Sequence, residues 1–510
     1  MTTVISGTYP SVNSDTDATI NGLIVGKGAG AVSTNTAVGA SALATNSTSG
    51  YQTAIGYQAL NLATGQYNTA IGGLSLLNNS TGTENVGVGL QALQSNTTGS
   101  LNTAIGRQAL NSNTTASYNT AVGYQAGYNN TSTNAAITAV GYRAGYATAG
   151  GSVDAFGYST LGANTTGANN ASFGYYSMPV NTTGSNNTAM GVNALASNTT
   201  ASNNTAVGYQ ALYANTTGGK STAIGNYSLN ANTTGTNTAL GSVSLYYNTT
   251  GTNNVAVGHN DGTIYAALQS NTTGSSNSAL GVGALASNTT ASNNTAVGYQ
   301  ALYTNVAGTN STAVGYQALL NATQASASTV YNTALGWQAG VNVTTGAANT
   351  LIGANTQVSS ATDIFEIVLG SLGGTILTGK GSSTGFINPN SGGVYQGNNS
   401  ATWSITSDQR LKKNIVDNTV GLSAINAIQV RNFEYRLPEE VTDLPQNQAI
   451  NISGVQLGAI AQELQQVLPD CVKEESTGVL GLDTTNIMWH MINAIKELNA
   501  KVIALETKGA

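Results

Sequence analysis

A glycine preceded by an apolar residue returns about every seventeen residues from Gly39 to Gly353. Between two such glycines the chain reads roughly N-T-A-V-G-Y-Q-A-L-x-x-N-T-T-G-S-x, clearest at Asn204–Leu212 and Asn294–Leu302. The steps are mostly 17, with longer ones from Gly258 to Gly281 and from Gly315 to Gly336. A repeat this regular builds one supersecondary unit many times and stacks it. Its period is too short for a helix pair, and the segments between turns are too short for a helix to nucleate. Each unit alternates briefly (T-A-V-G), adds a second apolar patch (Q-A-L) and then turns (N-T-T-G). The expectation is a mainly β protein, a parallel β-solenoid with two short strands per coil. Ala and Val/Ile should stack inward as ladders, with Asn and Gly in the turns because they tolerate left-handed backbone. At about 4.8 Å per coil, nineteen such units make a rod of roughly 90 Å.

Composition decides between order and disorder. Disordered chains pair low hydrophobicity with high net charge or abundant Pro; this one is 40% hydrophobic, with 6 Pro and a net charge of −6. Cys471 is the only cysteine, and His259 and His490 are the only histidines. That argues against a disulfide framework or a multi-cysteine metal site, and no cofactor is implied. No basic segment leads into an apolar run, so neither export by a signal peptide nor membrane insertion is expected. The acidic balance, with no basic patch, argues against nucleic acid. An Ala-sized interior buries few methylenes against about 1–2 kcal/mol of backbone ordering per residue. A single chain should therefore be marginal, and a homotrimer sharing apolar ladders is expected.

Aromatic residues follow the repeat glycine at Tyr124, Tyr209, Tyr299 and Tyr316, among others. They either form an exposed ladder that stacks on receptor sugars or pack on one another along the coil edge. The many N-x-S/T triplets read as turn chemistry. Cleaving a polysaccharide takes paired carboxylates, and Glu84, Asp154 and Asp261 lie far apart in sequence. His259 and Asp261 share the longer step and read as a loop. An ice-binding face needs a flat, regular Thr row, whereas Thr here clusters in the N-T-T-G turns.

The N-T-A-V-G-Y-Q-A-L unit resembles the head repeats of YadA-like trimeric autotransporter adhesins over roughly residues 35–353. The resemblance implies a left-handed β-roll that trimerises, although the step here is longer than is usual in that family. Residues 1–34 would be an attachment segment and 354–406 a neck, with strands at 365–371 and 374–381 closing the solenoid.

At Ser407 the composition changes. Residues 1–406 hold twelve charges, and the last 104 hold twenty-two. The spacing predicts a helix running into a strand over 425–437, an amphipathic helix over 458–469 stopped by Pro469, and a last helix from about Asn486. On that helix Met488, Met491, Ile495, Leu498, Val502 and Leu505 form an a/d seam of the kind that associates. The result would be a small α+β domain, 407–510, ending in a coiled-coil helix.

Three blocks in this region, SDQRLKKNI (407–415), GAIAQELQQVLPDCV (458–472) and INAIKELNAKVIALE (492–506), resemble the endosialidase-type intramolecular chaperone of phage tail spikes and fibres. The resemblance implies a domain that trimerises, guides folding of the upstream β-structure and then cuts itself off. Ser407 would be the nucleophile, Lys412 the general base and Thr406–Ser407 the scissile bond, with Asp408, Arg410 and Leu411 completing the motif. This would be a single-turnover serine autopeptidase. Many relatives carry a His two residues before the G-x-I-A-Q glycine; here that position is Gln456, so no role for that His carries over. Read without the resemblance, Ser407 is a helix N-cap with Asp408 in the first turn, and His490 is a packed surface residue. The whole implies a virion tail fibre assembled in the host cytoplasm, attached through its N-terminus to other tail or baseplate proteins and binding a cell-surface receptor, a glycan. A bacterial surface adhesin and a polysaccharide-degrading spike are the alternatives.

Overall fold

The computed structural model describes residues 17–20, 23–45, 48–131, 136–323, 328–389, 393–397, 403–404, 407–444, 449–450, 452–475 and 478–509. The chain divides into two compact units, Met1–Thr406 and Ser407–Ala510.

The first unit is a β-solenoid. Thr36–Val38 pairs in parallel with Thr53–Ile55, Ala37 opposite Ala54, and the same pairing continues coil by coil to Gly385–Asn388, about twenty coils in all. Most coils have one strand of three or four residues, not the two expected; among the described residues a second, two-residue strand appears only toward the C-terminal end, where Gly308–Thr309 pairs with Ser328–Thr329 and Thr356–Gln357 with Leu377–Thr378. The Q-A-L patch turns a corner instead: Gln58 and Leu60 sit at φ 53° and 49°. This lets the consecutive residues Ala59 and Leu60 both point inward, each fully buried, which strand alternation forbids.

The strand is also oriented differently from the expectation. Ala54 is fully buried, while the next residue, Ile55, is 38% exposed. With period 2 only one of two neighbours can face in. Leu60 already fills most of the small interior, so the strand contributes Ala and turns its Val or Ile outward. The first strand position is a Thr row along much of the stack, as at Thr188, Thr205 and Thr222. Thr is therefore not confined to the turns.

The remaining interior is polar and fully paired in the main. Asn85 N donates to Asn68 Oδ1 (3.0 Å), its Nδ2 donates to the Gly99 carbonyl (2.8 Å), and its Oδ1 accepts from Asn102 N (3.0 Å). A second ladder joins the turn asparagines: Asn181 Nδ2 donates to Asn164 Oδ1 (2.8 Å) and Asn198 Nδ2 to Asn181 Oδ1 (2.7 Å). These Asn side chains are buried, which gives the N-x-S/T triplets their role as turn chemistry. The Asn85 row ends at Glu366, whose buried carboxylate accepts from the amides of Ser359 (3.0 Å) and Gly381 (2.7 Å). The repeat glycines stack directly on one another. Gly208 has φ 134°, and a Cβ there would lie 2.5 Å from the Gly225 carbonyl oxygen.

Both ends of the stack are paired antiparallel. Ala18–Ile20 and Leu23–Gly26 form a hairpin whose second strand covers Thr36–Val38. Val394–Gln396 covers Gly385–Asn388 and pairs with Trp403–Ser404. The stack thus ends on strands of only 3 and 2 residues, and edge strands this short resist strand addition. Residues 354–388 thus continue the stack, and part of the segment read as an attachment region is its N-terminal cap; residues 1–16, 21 and 22 of that segment lie outside the described residues.

Among its described residues the second unit has three α-helices, α1 (Leu422–Ala427), α2 (Ala461–Val467) and α3 (Thr484–Gly509), with two small antiparallel strand pairs. Its core gathers Leu464, Leu468 and Cys471 against Ile425, Ile428 and Ile487. The α3 seam is exposed in the single chain: Met491 is 48% and Ile495 63% exposed. No helix among the described residues is long and apolar enough to cross a membrane.

Candidate functional site

The SDQRLK segment folds as a single tight turn. Gln409–Leu411 is one turn of 3-10 helix, and Asp408 caps it by accepting from the Arg410 amide (2.9 Å). The Arg410 guanidinium returns to the same carboxylate at 3.0 Å and 2.5 Å. This pairing holds the Asp408 carboxyl below the usual carboxylate range and raises Arg410. The turn closes with Lys412 N donating to Gln409 O (3.1 Å). Six residues of chain are thereby folded back, so that Lys412 Nζ donates to Ser407 Oγ at 2.8 Å. The cap is Asp408, not Ser407, which leaves the Ser407 hydroxyl to the lysine. Leu411 is 74% exposed, and Ser407 and Lys412 face solvent. Thr406 lies outside the described residues.

Gln456 opens a strand paired with Arg431–Phe433, and its amide donates to the Gly454 carbonyl (3.0 Å). His490 is not a surface residue: it is 4% exposed on α3. Its Nδ1 meets the Val420 carbonyl (3.1 Å) and its Nε2 meets Asp470 Oδ2 (2.8 Å). Asp470, Cys471 and His490 place their ligand-type atoms within 4.8 Å of one another, the one such group among the described residues. Burial, first, and the neighbouring carboxylates push the Cys471 thiol up to about 11, so it is neither a nucleophile nor a ready thiolate ligand. The cluster reads as a packed polar core joining α3 to its neighbours. A sequence with two histidines gave no signal for it, because the partners are 20 and 70 residues away.

The repeat tyrosines stack mainly on one another. Tyr124 lies on Tyr142 (5.3 Å), Tyr142 on Tyr158 (4.8 Å) and Tyr158 on Tyr175 (5.1 Å). Tyr316 is held between Tyr299 (5.3 Å) and Trp337 (6.3 Å), and Tyr209 meets Tyr227 edge-on (5.1 Å). The Arg107 guanidinium sits 6.0 Å from the Tyr124 centroid. These rings remain 36–43% exposed at Tyr124, Tyr209, Tyr299 and Tyr316. Inside a stack, as at Tyr316, both faces are covered, so a ligand there meets ring edges and hydroxyls.

Residues 407–473 match the family described as the chaperone of endosialidase. The chain is 33% identical over 124 residues to a probable tail fiber protein of Escherichia phage Phieco32. The match covers 22% of this chain and 16% of that protein. No solved structure matches. The chain thus couples a β-solenoid to a C-terminal segment similar to the endosialidase chaperones, the combination expected of a tail fibre with a C-terminal chaperone.

Proposed function

We propose that the chain is a phage tail fibre protein whose solenoid is the host-attachment shaft, and whose residues 407–510 drive trimeric assembly and then cleave themselves off at Thr406–Ser407. The observation that carries the cleavage is the 2.8 Å contact between Lys412 Nζ and Ser407 Oγ, within the segment that matches the chaperone family. Lys412, once neutral, takes the Ser407 hydroxyl proton. Oγ then attacks the Thr406 carbonyl carbon, the Thr406–Ser407 C–N bond breaks, and the proton passes from Lys412 to the departing Ser407 amine. Water hydrolyses the resulting ester, leaving a Thr406 carboxylate and a free Ser407 amino terminus.

A lysine acts as a base only when desolvation or nearby positive charge favours its neutral form. Both dyad side chains are exposed in the single chain. We place the missing cover in the assembled trimer, where the exposed α3 seams meet; cutting then follows assembly. Removing the nucleating unit traps the shaft kinetically. The N-terminus meets other tail or baseplate proteins, and the aromatic edges and hydroxyls of Tyr124, Tyr209, Tyr299 and Tyr316 face the receptor glycan.

Intact mass under denaturing conditions tests this. Wild type should give two pieces meeting at Thr406/Ser407, while Ser407→Ala and Lys412→Ala stay whole. Cutting that persists in Ser407→Ala, or an uncut wild-type trimer, overturns the autoproteolytic reading.

A further inference from the structure

The strand position in register with Val38 carries an apolar residue in every coil as far as Ile387, yet it faces outward. Ile55 is 38% exposed, Ile224 39%, Leu240 45% and Leu280 50%. The corner two residues further on shows no such restriction: it holds Gly73, Leu90, Arg107, Tyr124 and Asn226 in different coils. A merely solvated surface would vary at both places. The adjoining first strand position is mostly Thr and carries one charge along the stack, Asp154.

Eleven residues of the row are at least 36% exposed, among them Ile71, Leu335 and Ile352, so it forms an apolar strip as long as the stack, where a monomer normally exposes such residues singly. Because the strands pair in register coil after coil, the row runs along the stack without a break. A partner that covers it has to be equally long, apolar and periodic at the same spacing. Another copy of the solenoid meets all three conditions.

We infer that this row is the self-association surface of the shaft, lying against the same row of the other copies over its whole length, and that Phe156, Phe173 and Met190 set its register. The inference rests on the trimeric reading above and names the face that makes the trimer. Most of the row is Val, Ile or Leu, so sliding one copy by a coil exchanges near-equal volumes and is weakly resisted. The block from Phe156 to Met190 differs. Its two phenyl rings stack at 4.8 Å with 3° between their planes, and the row continues with Val140 on one side and Val207 on the other. A slipped pairing sets a ring against valine, overpacking one level and leaving a void at the next. The aromatic corner at Tyr209 and Tyr299 stays outside the contact.

Full-length chains carrying Val207→Cys, Val297→Cys or Tyr209→Cys, with the parent chain and its buried Cys471 as control, would be oxidised in the native state. They would then be run on non-reducing gels beside sedimentation of the same samples. The expected result is a trimer in which Val207→Cys and Val297→Cys give strong same-position dimers while Tyr209→Cys and the parent give little. Differently tagged Val207→Cys and Ile224→Cys chains, co-expressed, should give mixed links only when Phe156 and Phe173 are also changed to Val. A trimer that links at Tyr209 as well as or better than at Val207 overturns the assigned face and leaves the trimer standing. Mixed links in the unaltered background overturn the register role. A monomer overturns the trimeric reading itself.

Discussion

Replacing Gly208 with Ala separates two reasons for the repeat glycine. Its φ of 134° is one that L side chains rarely adopt, and its added Cβ would sit 2.5 Å from the Gly225 carbonyl oxygen, where ordinary contact begins at 3.4 Å. Gly262, in the long step, has φ 95° but nothing within 4 Å. Backbone strain at either site costs about 1–3 kcal/mol. Relieving the overlap at Gly208 forces its coil and the Gly225 coil nearly 1 Å apart, stretching the 2.8 Å bonds from Gly225 N to Val207 O and from Tyr227 N to Tyr209 O. Weakening two or three such bonds adds about 1 kcal/mol each. Gly208→Ala should thus lose roughly 3–6 kcal/mol and Gly262→Ala about 1–3 kcal/mol. In a solenoid stability is set by nearest-neighbour coils, so the loss is local. Hydrogen exchange of peptides spanning 190–226 should accelerate about a hundredfold or more in Gly208→Ala, with coils near Thr53–Ile71 unchanged. Equal acceleration around the two sites would show that the turn, not the backbone-on-backbone approach, demands glycine.

Asn181→Ala removes the donor that Asn164 Oδ1 receives at 2.8 Å inside the stack; an unsatisfied buried acceptor costs about 1–3 kcal/mol, readable as faster local exchange across 164–198. His490 carries a pH dependence of defined sign. Burial pulls its pKa down, but the bonds to Asp470 and the Val420 carbonyl outweigh this and hold it above the ordinary value. Its contribution to the C-terminal unit is therefore fully present below about pH 6.5 and is lost as pH rises through the raised folded value. Imidazole shifts should place the His490 midpoint above that of an ordinary histidine; a midpoint at or below 6.5 refutes the clamp.

The sequence by itself determined the architecture. The seventeen-residue period required stacked coils, the Asn-Thr-Thr-Gly clusters marked the turns, and the jump in charge at Ser407 coincided with the change from repeat to mixed helix and strand. The SDQRLK motif also placed Ser407 and Lys412 near each other, since a single turn spans them. The interior of the coil was not legible. The alternation in Thr-Ala-Val shows which residues share a face but not which face is inward, and Val or Ile looks the better core residue. Only the closed coil decided it: Leu60 and its counterparts enter from the left-handed corner, leave room for Ala alone on the strand side, and turn the valine row outward. Likewise the burial of His490 depends on Val420 and Asp470, brought to it from distant parts of the chain by packing that no local pattern records.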